Sequence, residues 1–113
     1  MKYAILAIKV LVTLAFVAAG GAKLIGAEMM VATFDAVGVG QWFRYVTGLI
    51  EVGAAVLLWV PGLQLIGAGL LVVTMIGAVI AHLAILGPSA VPALILGVLS
   101  AVIGWWHKKQ AAA

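Results

Sequence analysis

Four long runs of apolar residues dominate the chain. They cover about 3–22, 43–60, 63–86 and 91–106, and the breaker pairs Pro61-Gly62 and Gly87-Pro88 separate the last three. A helix needs roughly 20 apolar residues to cross roughly 30 Å of hydrocarbon, because lipid offers no partner for an unpaired backbone group. We therefore predict an all-α fold, a bundle of four transmembrane helices that forms one integral membrane domain over residues 1–113. The short turns make successive helices antiparallel neighbours.

The segment between the first two runs has a different pattern. It extends from Gly26 to Gly40, too short to cross the membrane and return, and it carries Glu28 and Asp35 on one helical face. The other face carries Met29, Met30, Phe34 and Val37. This pattern predicts a short amphipathic helix lying in the membrane interface. An ordinary polar connecting loop is the alternative, because glycines interrupt the segment.

The composition excludes most soluble functions. Hydrophobic residues make up 67% of the chain, and only six Lys or Arg and three Asp or Glu are present. So few charges cannot coat a globule of this size in water. The sequence has no cysteine, and hence no disulfide, dithiol relay or thiolate metal ligand. We expect no metal site, and no nucleic-acid partner, because the basic residues are scattered at helix ends instead of forming one patch.

The distribution of basic residues predicts the topology. Lysines at positions 2, 108 and 109 flank the termini, and Lys9 can snorkel to the same side, whereas the long loop has Lys23 and Arg44. Cytoplasmic loops carry the excess of Lys and Arg, so we expect both termini of this multi-pass protein in the cytoplasm. The location that we expect is a bacterial inner membrane, which the charges by themselves do not indicate. The alternative is a secretory signal peptide over residues 1–22, which Lys9 opposes by interrupting the apolar stretch.

Three ionisable residues are expected to meet near the outer face of the membrane. Lys23 ends the first helix, Glu51 lies about two turns inside the second, and His82 lies about one turn before the third ends. Charged groups in a membrane usually face the bundle interior and pair with one another. Residues at helical spacing place further side chains beside them, namely Phe16, Gly20, Gly48, Met75 and Ala78. We predict a pocket between helices one, two and three, with Lys23 as the counter-ion of Glu51 and His82 available for hydrogen bonding or proton transfer.

Each of these residues also has a structural interpretation. Lys23 can snorkel at an interface, as a lysine at a helix end commonly does. Glu51 can serve as a structural lock between two helices. Met75 can be an ordinary core residue, since methionine fills irregular gaps in helix bundles. Gly97 and Gly104 permit a close contact with another helix or with a second copy of the chain.

The same residues resemble the motifs of a known family. The string Ala19-Gly20-Gly21-Ala22-Lys23-Leu24, followed by Gly48-x-x-Glu51 and by Met75-x-x-Ala78-x-x-x-His82, is similar to the DoxX and DoxX-like membrane proteins. The resemblance covers about four fifths of the chain and implies a four-helix membrane fold, with Lys23, Glu51 and His82 on motif positions. Some members of that family look like subunits of quinone-linked thiosulfate oxidation, others are associated with redox complexes, and distant relatives act as assembly or trafficking factors.

Three functions are consistent with these observations. The first is a binding or accessory subunit of a membrane redox system that holds a quinone, or another amphipathic molecule, in the outer-leaflet pocket. Such a protein would have the lipid bilayer, a membrane or redox protein and a second copy of the chain as partners. If it were an enzyme, it would be a quinone-linked oxidoreductase, but no complete catalytic set is evident. The second is an assembly or interaction factor without catalysis, and the third is a small proton-coupled transporter.

Overall fold

The computed structural model describes residues 2–87 and 90–112, and the side chains among them up to residue 110. Within these residues it contains five α-helices: α1 (Lys2–Ile25), α2 (Glu28–Val37), α3 (Gln41–Leu57), α4 (Gln64–Ala81) and α5 (Val91–Ala112). A π-helical turn over His82–Leu86 continues α4. The predicted all-α class is confirmed.

Three of these segments are long and apolar enough to cross a membrane. They are α1, α4 together with its π-helical turn, and α5 up to Gln110. Helix α3 is not among them, because it has only 17 residues. The predicted second span over 43–60 therefore begins two residues early, at Gln41, and ends as a helix at Leu57. The chain is an integral membrane protein, but the predicted number of four spans is not established by length and composition alone.

The four longest helices run antiparallel to their neighbours. Position Gly20 on α1 faces Gly48 on α3, and farther down the same pair of helices Thr13 contacts Trp59. On α4 and α5, Gly97 lies against Met75 and Gly104 against Ala68. In both pairs the residue number falls on one helix as it rises on the other. The expected close contact of Gly97 and Gly104 is therefore made with α4 of the same chain.

The interior is small and the outer surface is apolar. Fully buried side chains include Val12, Phe16, Leu58, Leu71 and Ile103. Large apolar side chains also cover the outside, with exposed fractions of 65% for Leu14, 68% for Val73 and 77% for Leu83. A soluble protein rarely exposes so continuous an apolar surface, whereas lipid solvates it without cost. Because lipid surrounds the outer faces, the outer and inner faces of these helices are both apolar.

Helix α2 forms where the sequence predicts an amphipathic segment. Phe34 is buried and packs edge-to-face on Phe43 of α3, with ring centroids 5.9 Å apart. Gly38 ends the helix in a left-handed conformation, with φ of 83°, which glycine adopts without steric cost. Met29 of the predicted apolar face is 75% exposed on the outside of the molecule, where lipid can contact it. Helix α2 contacts α1, α3 and the π-helical turn, so it marks one end of the molecule, called here the α2 end. The opposite end, where residues 58–63 join α3 to α4, is called the turn end.

Candidate functional site

Lys23 and Glu51 form an ion pair between α1 and α3. Lys23 Nζ lies 2.6 Å from Glu51 Oε1, and the two side chains are only 13% and 2% exposed. Among the described residues Oε1 has no hydrogen bond of regular geometry, so the contact is chiefly ionic. A carboxylate removed this far from water requires a counter-charge, and Lys23 supplies it. The structure thus brings together two of the residues that the sequence places at one site.

Two glycines allow the backbones to approach closely enough for this pair. A Cβ atom added at Gly20 would lie 2.9 Å from the carbonyl oxygen of Gly48 and 2.7 Å from Cγ2 of Val52. One added at Gly48 would lie 2.8 Å from the carbonyl oxygen of Gly20 and 2.9 Å from Cβ of Lys23. All four distances are shorter than ordinary contacts, so any side chain at Gly20 or Gly48 would push α1 and α3 apart. Small residues serve this purpose in membrane helix packing.

Arg44 is a further member of the site, although the sequence predicts only its contribution to the topology. Its side chain is buried, and Nη1 donates a hydrogen bond to the carbonyl oxygen of Lys23. That carbonyl belongs to the last turn of α1, where helix geometry leaves the oxygens without a partner in the helix. The signal in the sequence was the spacing, since Arg44 precedes Glu51 by two helical turns and lies on the same face.

A chain of hydrogen bonds connects Arg44 to α2. Arg44 Nε donates to Gln41 Oε1 over 2.8 Å, and Gln41 Nε2 donates to Asp35 Oδ1 over 2.7 Å. The same Gln41 nitrogen donates to the carbonyl oxygen of Val31 over 3.0 Å. The network therefore holds α1, α2 and α3 together at the α2 end. We call the residues Asp35, Gln41, Arg44, Lys23 and Glu51 the α2-end network.

His82 does not join the ion pair. Among the described residues the only salt bridge within 4.0 Å is that of Lys23 with Glu51, so the imidazole does not reach the carboxylate. His82 begins the π-helical turn, and its buried Nδ1 atom has no hydrogen-bond partner in residues 2–87 and 90–110. The sequence predicts an α-helix as far as Leu86. The wider π-helical turn instead begins at His82.

The remaining predicted residues lie in the helix packing. Phe16 is fully buried in the central core, and Ala78 packs against that core. Met75 is 7% exposed and faces α5, where a Cβ atom added at Gly97 would lie 3.2 Å from its own Cβ. Met75 therefore packs on α5, and the pocket predicted between α1, α3 and α4 stays a prediction.

An apolar groove lies between α4 and α5. Met75, Val79, Leu94 and Gly97 border one part of it. An adjoining part shares Val79 and Leu94 and ends at His82 beside the π-helical turn. Neither part includes Lys23 or Glu51. We call this surface the α4–α5 groove: an apolar trough that has one imidazole at its end.

Metal binding finds no support in the described part of the chain. No group of three His, Asp or Glu side chains in residues 2–87 and 90–112 lies close enough together to hold a metal ion. What the site offers chemically is one paired carboxylate, one ammonium group and, at a separate place, one imidazole.

Comparison with known proteins identifies the family. A family model described as the DoxX-like family matches residues 7–105, which is most of the chain. The chain therefore belongs to the DoxX-like family. Searches of curated proteins and of solved structures give no match.

Removing one member of the buried pair should destabilise the protein. In Glu51→Gln the Lys23 ammonium loses its counter-charge in a poorly solvated place, and we expect the free energy of unfolding to fall by about 3 kcal/mol. The double variant Lys23→Met/Glu51→Leu should recover most of this loss, because no charge is then left unpaired. Denaturant unfolding of the purified protein in detergent, followed by circular dichroism, measures both values.

The matched control is Glu28→Gln, which removes an exposed acid at the start of α2. We expect a change within about 0.5 kcal/mol, as is usual at exposed positions. An unfolding free energy of Glu51→Gln equal to that of Glu28→Gln would contradict the account of the pair.

Proposed function

We propose that this member of the DoxX-like family is a binding or accessory subunit of a membrane redox system, and that it holds a quinone-like molecule in the α4–α5 groove. The observation that carries the proposal is the groove, which is apolar along Met75, Val79 and Leu94 and ends at the imidazole of His82. Ligand sites typically combine an apolar lining with a few placed polar groups. A quinone has an apolar tail and a ring carbonyl that accepts a hydrogen bond from an imidazole N–H.

Two further observations support a polar ligand group near His82. Its Nδ1 atom has no partner among the described residues, and buried polar atoms without partners are rare in proteins. The π-helical turn that His82 begins is a type of distortion found frequently at functional sites. A ligand carbonyl or a water molecule that accompanies the ligand would satisfy this nitrogen.

The α2-end network has a positioning role in this proposal. It fixes α2 against α1 and α3 through Gln41 and Arg44. Helix α2 also contacts the π-helical turn that carries His82. The ion pair thus supports the groove from a distance without touching the ligand. Because the sequence has no cysteine for a dithiol relay, the electrons of the redox reaction would pass between the quinone and a partner protein.

The proposal also includes four membrane crossings with both termini in the cytoplasm. Helix α3 is short, but the chain from α3 to Trp59, two residues beyond its end, contacts α1 from Arg44 beside Lys23 to Trp59 beside Thr13. These contacts extend along residues 13–23 of α1, which supports a crossing by this segment. Its two charged side chains face α1 instead of lipid, which removes the main cost of placing them in a bilayer.

Single introduced cysteines can test this topology, because each would be the only thiol in the chain. Met29→Cys lies on exposed α2, whereas Leu63→Cys and Gln110→Cys lie at the turn end and near the carboxyl end of α5. In intact bacterial cells a membrane-impermeant maleimide should label only Met29→Cys. The other two should react after the cells are permeabilised. Labelling of Leu63→Cys and Met29→Cys from the same side would show that α3 does not cross.

Quinone binding can be measured directly by calorimetric titration. The purified protein in phosphatidylcholine nanodiscs should bind a short-chain benzoquinone saturably, and His82→Ala should weaken binding roughly fivefold through loss of one hydrogen bond. Thr74→Val is the matched control on the same helix, since its hydroxyl donates to the carbonyl oxygen of Leu70 and lies outside the groove. No saturable binding by the wild type, or an equal loss in both variants, would reject the proposal.

A second candidate function, an assembly or interaction factor, is favoured by the enclosure of Glu51. The residue is 1% exposed, and neither part of the groove reaches it, as expected if the pair only locks the helices in register. This function predicts that a discrete membrane partner, recovered after cross-linking, is lost in Glu51→Gln but kept in His82→Ala. Retention of that partner by both variants would argue against it.

A further inference from the structure

The turn end contains a buried lysine that has no acidic partner. Lys9 is 8% exposed on the inner face of α1, and its Nζ lies 4.5 Å from the centre of the Trp59 ring. Trp59 is held in place by a hydrogen bond from its Nε1 to Thr13 Oγ1 over 2.8 Å. The indole face attracts a cation, but it does not replace a counter-charge.

No acidic side chain of this chain can neutralise Lys9. The sequence has three acidic residues, of which Glu28 and Asp35 lie in α2 and Glu51 pairs with Lys23. All three are at the α2 end. Lys9 and Lys23 are separated along α1 by 14 residues (23 − 9), which is about 21 Å at the helical rise of roughly 1.5 Å per residue.

The other basic groups of the turn end increase its positive potential. Four of the six Lys and Arg residues are at this end, namely Lys2, Lys9, Lys108 and Lys109. His107 of α5 is close enough to Lys9 for the ammonium charge to act on it, and its Nε2 atom is buried without a hydrogen-bond partner. Two nitrogen groups from different helices therefore share one environment and have no partner in the described part of the chain.

We propose that Lys9, His107 and Trp59 form a binding site for an anionic phosphate group. A phosphate supplies both the missing negative charge and several acceptor oxygens, and its hydrogen bonds to a charged donor are stronger than those between neutral groups. The site lies beside the turn between α3 and α4, where Trp59 has the position of an interfacial anchor and where phospholipid phosphates are found. The exposed lysines attract the anion to this end, and the buried lysine binds it.

The phosphate can belong to an anionic phospholipid or be a free inorganic ion, and one experiment separates the two sources. The full-length protein is purified in a neutral detergent, and the midpoint of thermal unfolding is measured against added phosphatidylglycerol, phosphatidylcholine or inorganic phosphate. The variants are Lys9→Gln, which removes the charge, Lys9→Arg, which keeps it, and Lys108→Gln, which removes an exposed lysine at the same end. The apparent dissociation constant follows from the concentration dependence of the midpoint.

For the wild type we expect phosphatidylglycerol to raise the midpoint with saturation, and phosphatidylcholine to have little effect. Lys9→Gln should weaken the apparent affinity roughly tenfold or more, whereas Lys108→Gln should change it by about twofold at most, because exposed charges are well screened. Lys9→Arg should keep most of the affinity. A saturable effect of inorganic phosphate that also depends on Lys9 would assign the site to the free ion.

The proposal would be overturned if neither phosphatidylglycerol nor inorganic phosphate raised the unfolding midpoint of the wild type. It would also be overturned if either anion raised the midpoints of the wild type and Lys9→Gln equally. Loss of the fold in Lys9→Gln is not expected to account for a weaker response to anions, because glutamine at position 9 removes a largely buried charge that has no acidic partner. Without added anion, Lys9→Gln should therefore unfold at the same temperature as the wild type or higher. A lower midpoint under that condition would also contradict the proposal.

Discussion

A carboxylate that is shielded from both water and lipid is stable as an ion only beside a positive charge, and this requirement organises the α2 end of the protein. Glu51 meets it through Lys23, over a distance that α1 and α3 reach only because Gly20 and Gly48 lack side chains. The pair therefore fixes the register of the two helices. Arg44 strengthens the same contact by binding the carbonyl oxygen at the end of α1.

Charge is divided between the two ends of the molecule. The three acidic residues are at the α2 end, where basic and amide groups neutralise or bind two of them, while most lysines are at the turn end without an acidic partner. The α4–α5 groove lies apart from the Lys23–Glu51 pair and is apolar except for His82. In our proposals the α2 end provides stability, the groove holds an amphipathic molecule, and the turn end binds an anion.

The features that the sequence predicts well depend on local patterns. Apolar runs locate the long helices, and the spacing of Gly20 with Lys23 and of Gly48 with Glu51 identifies the buried pair. The features that it misses depend on tertiary contacts. His82 is predicted beside Glu51 from depth along the helices, whereas the packing of the helices brings only Lys23 into an ion pair with that carboxylate among the described residues. Lys9 is predicted to snorkel, but the sequence does not reveal that its ammonium lies over Trp59, 50 residues away in sequence (59 − 9).

The central claim is that Lys23 and Glu51 are in direct contact inside the bundle when the protein is in a bilayer. Solid-state nuclear magnetic resonance can measure the separation of Lys23 Nζ and the Glu51 carboxyl carbon in selectively labelled protein in lipid. The account predicts about 3–4 Å, the value for an ammonium in contact with a carboxylate oxygen. A separation beyond about 6 Å, at which no direct ion pair exists, would contradict it.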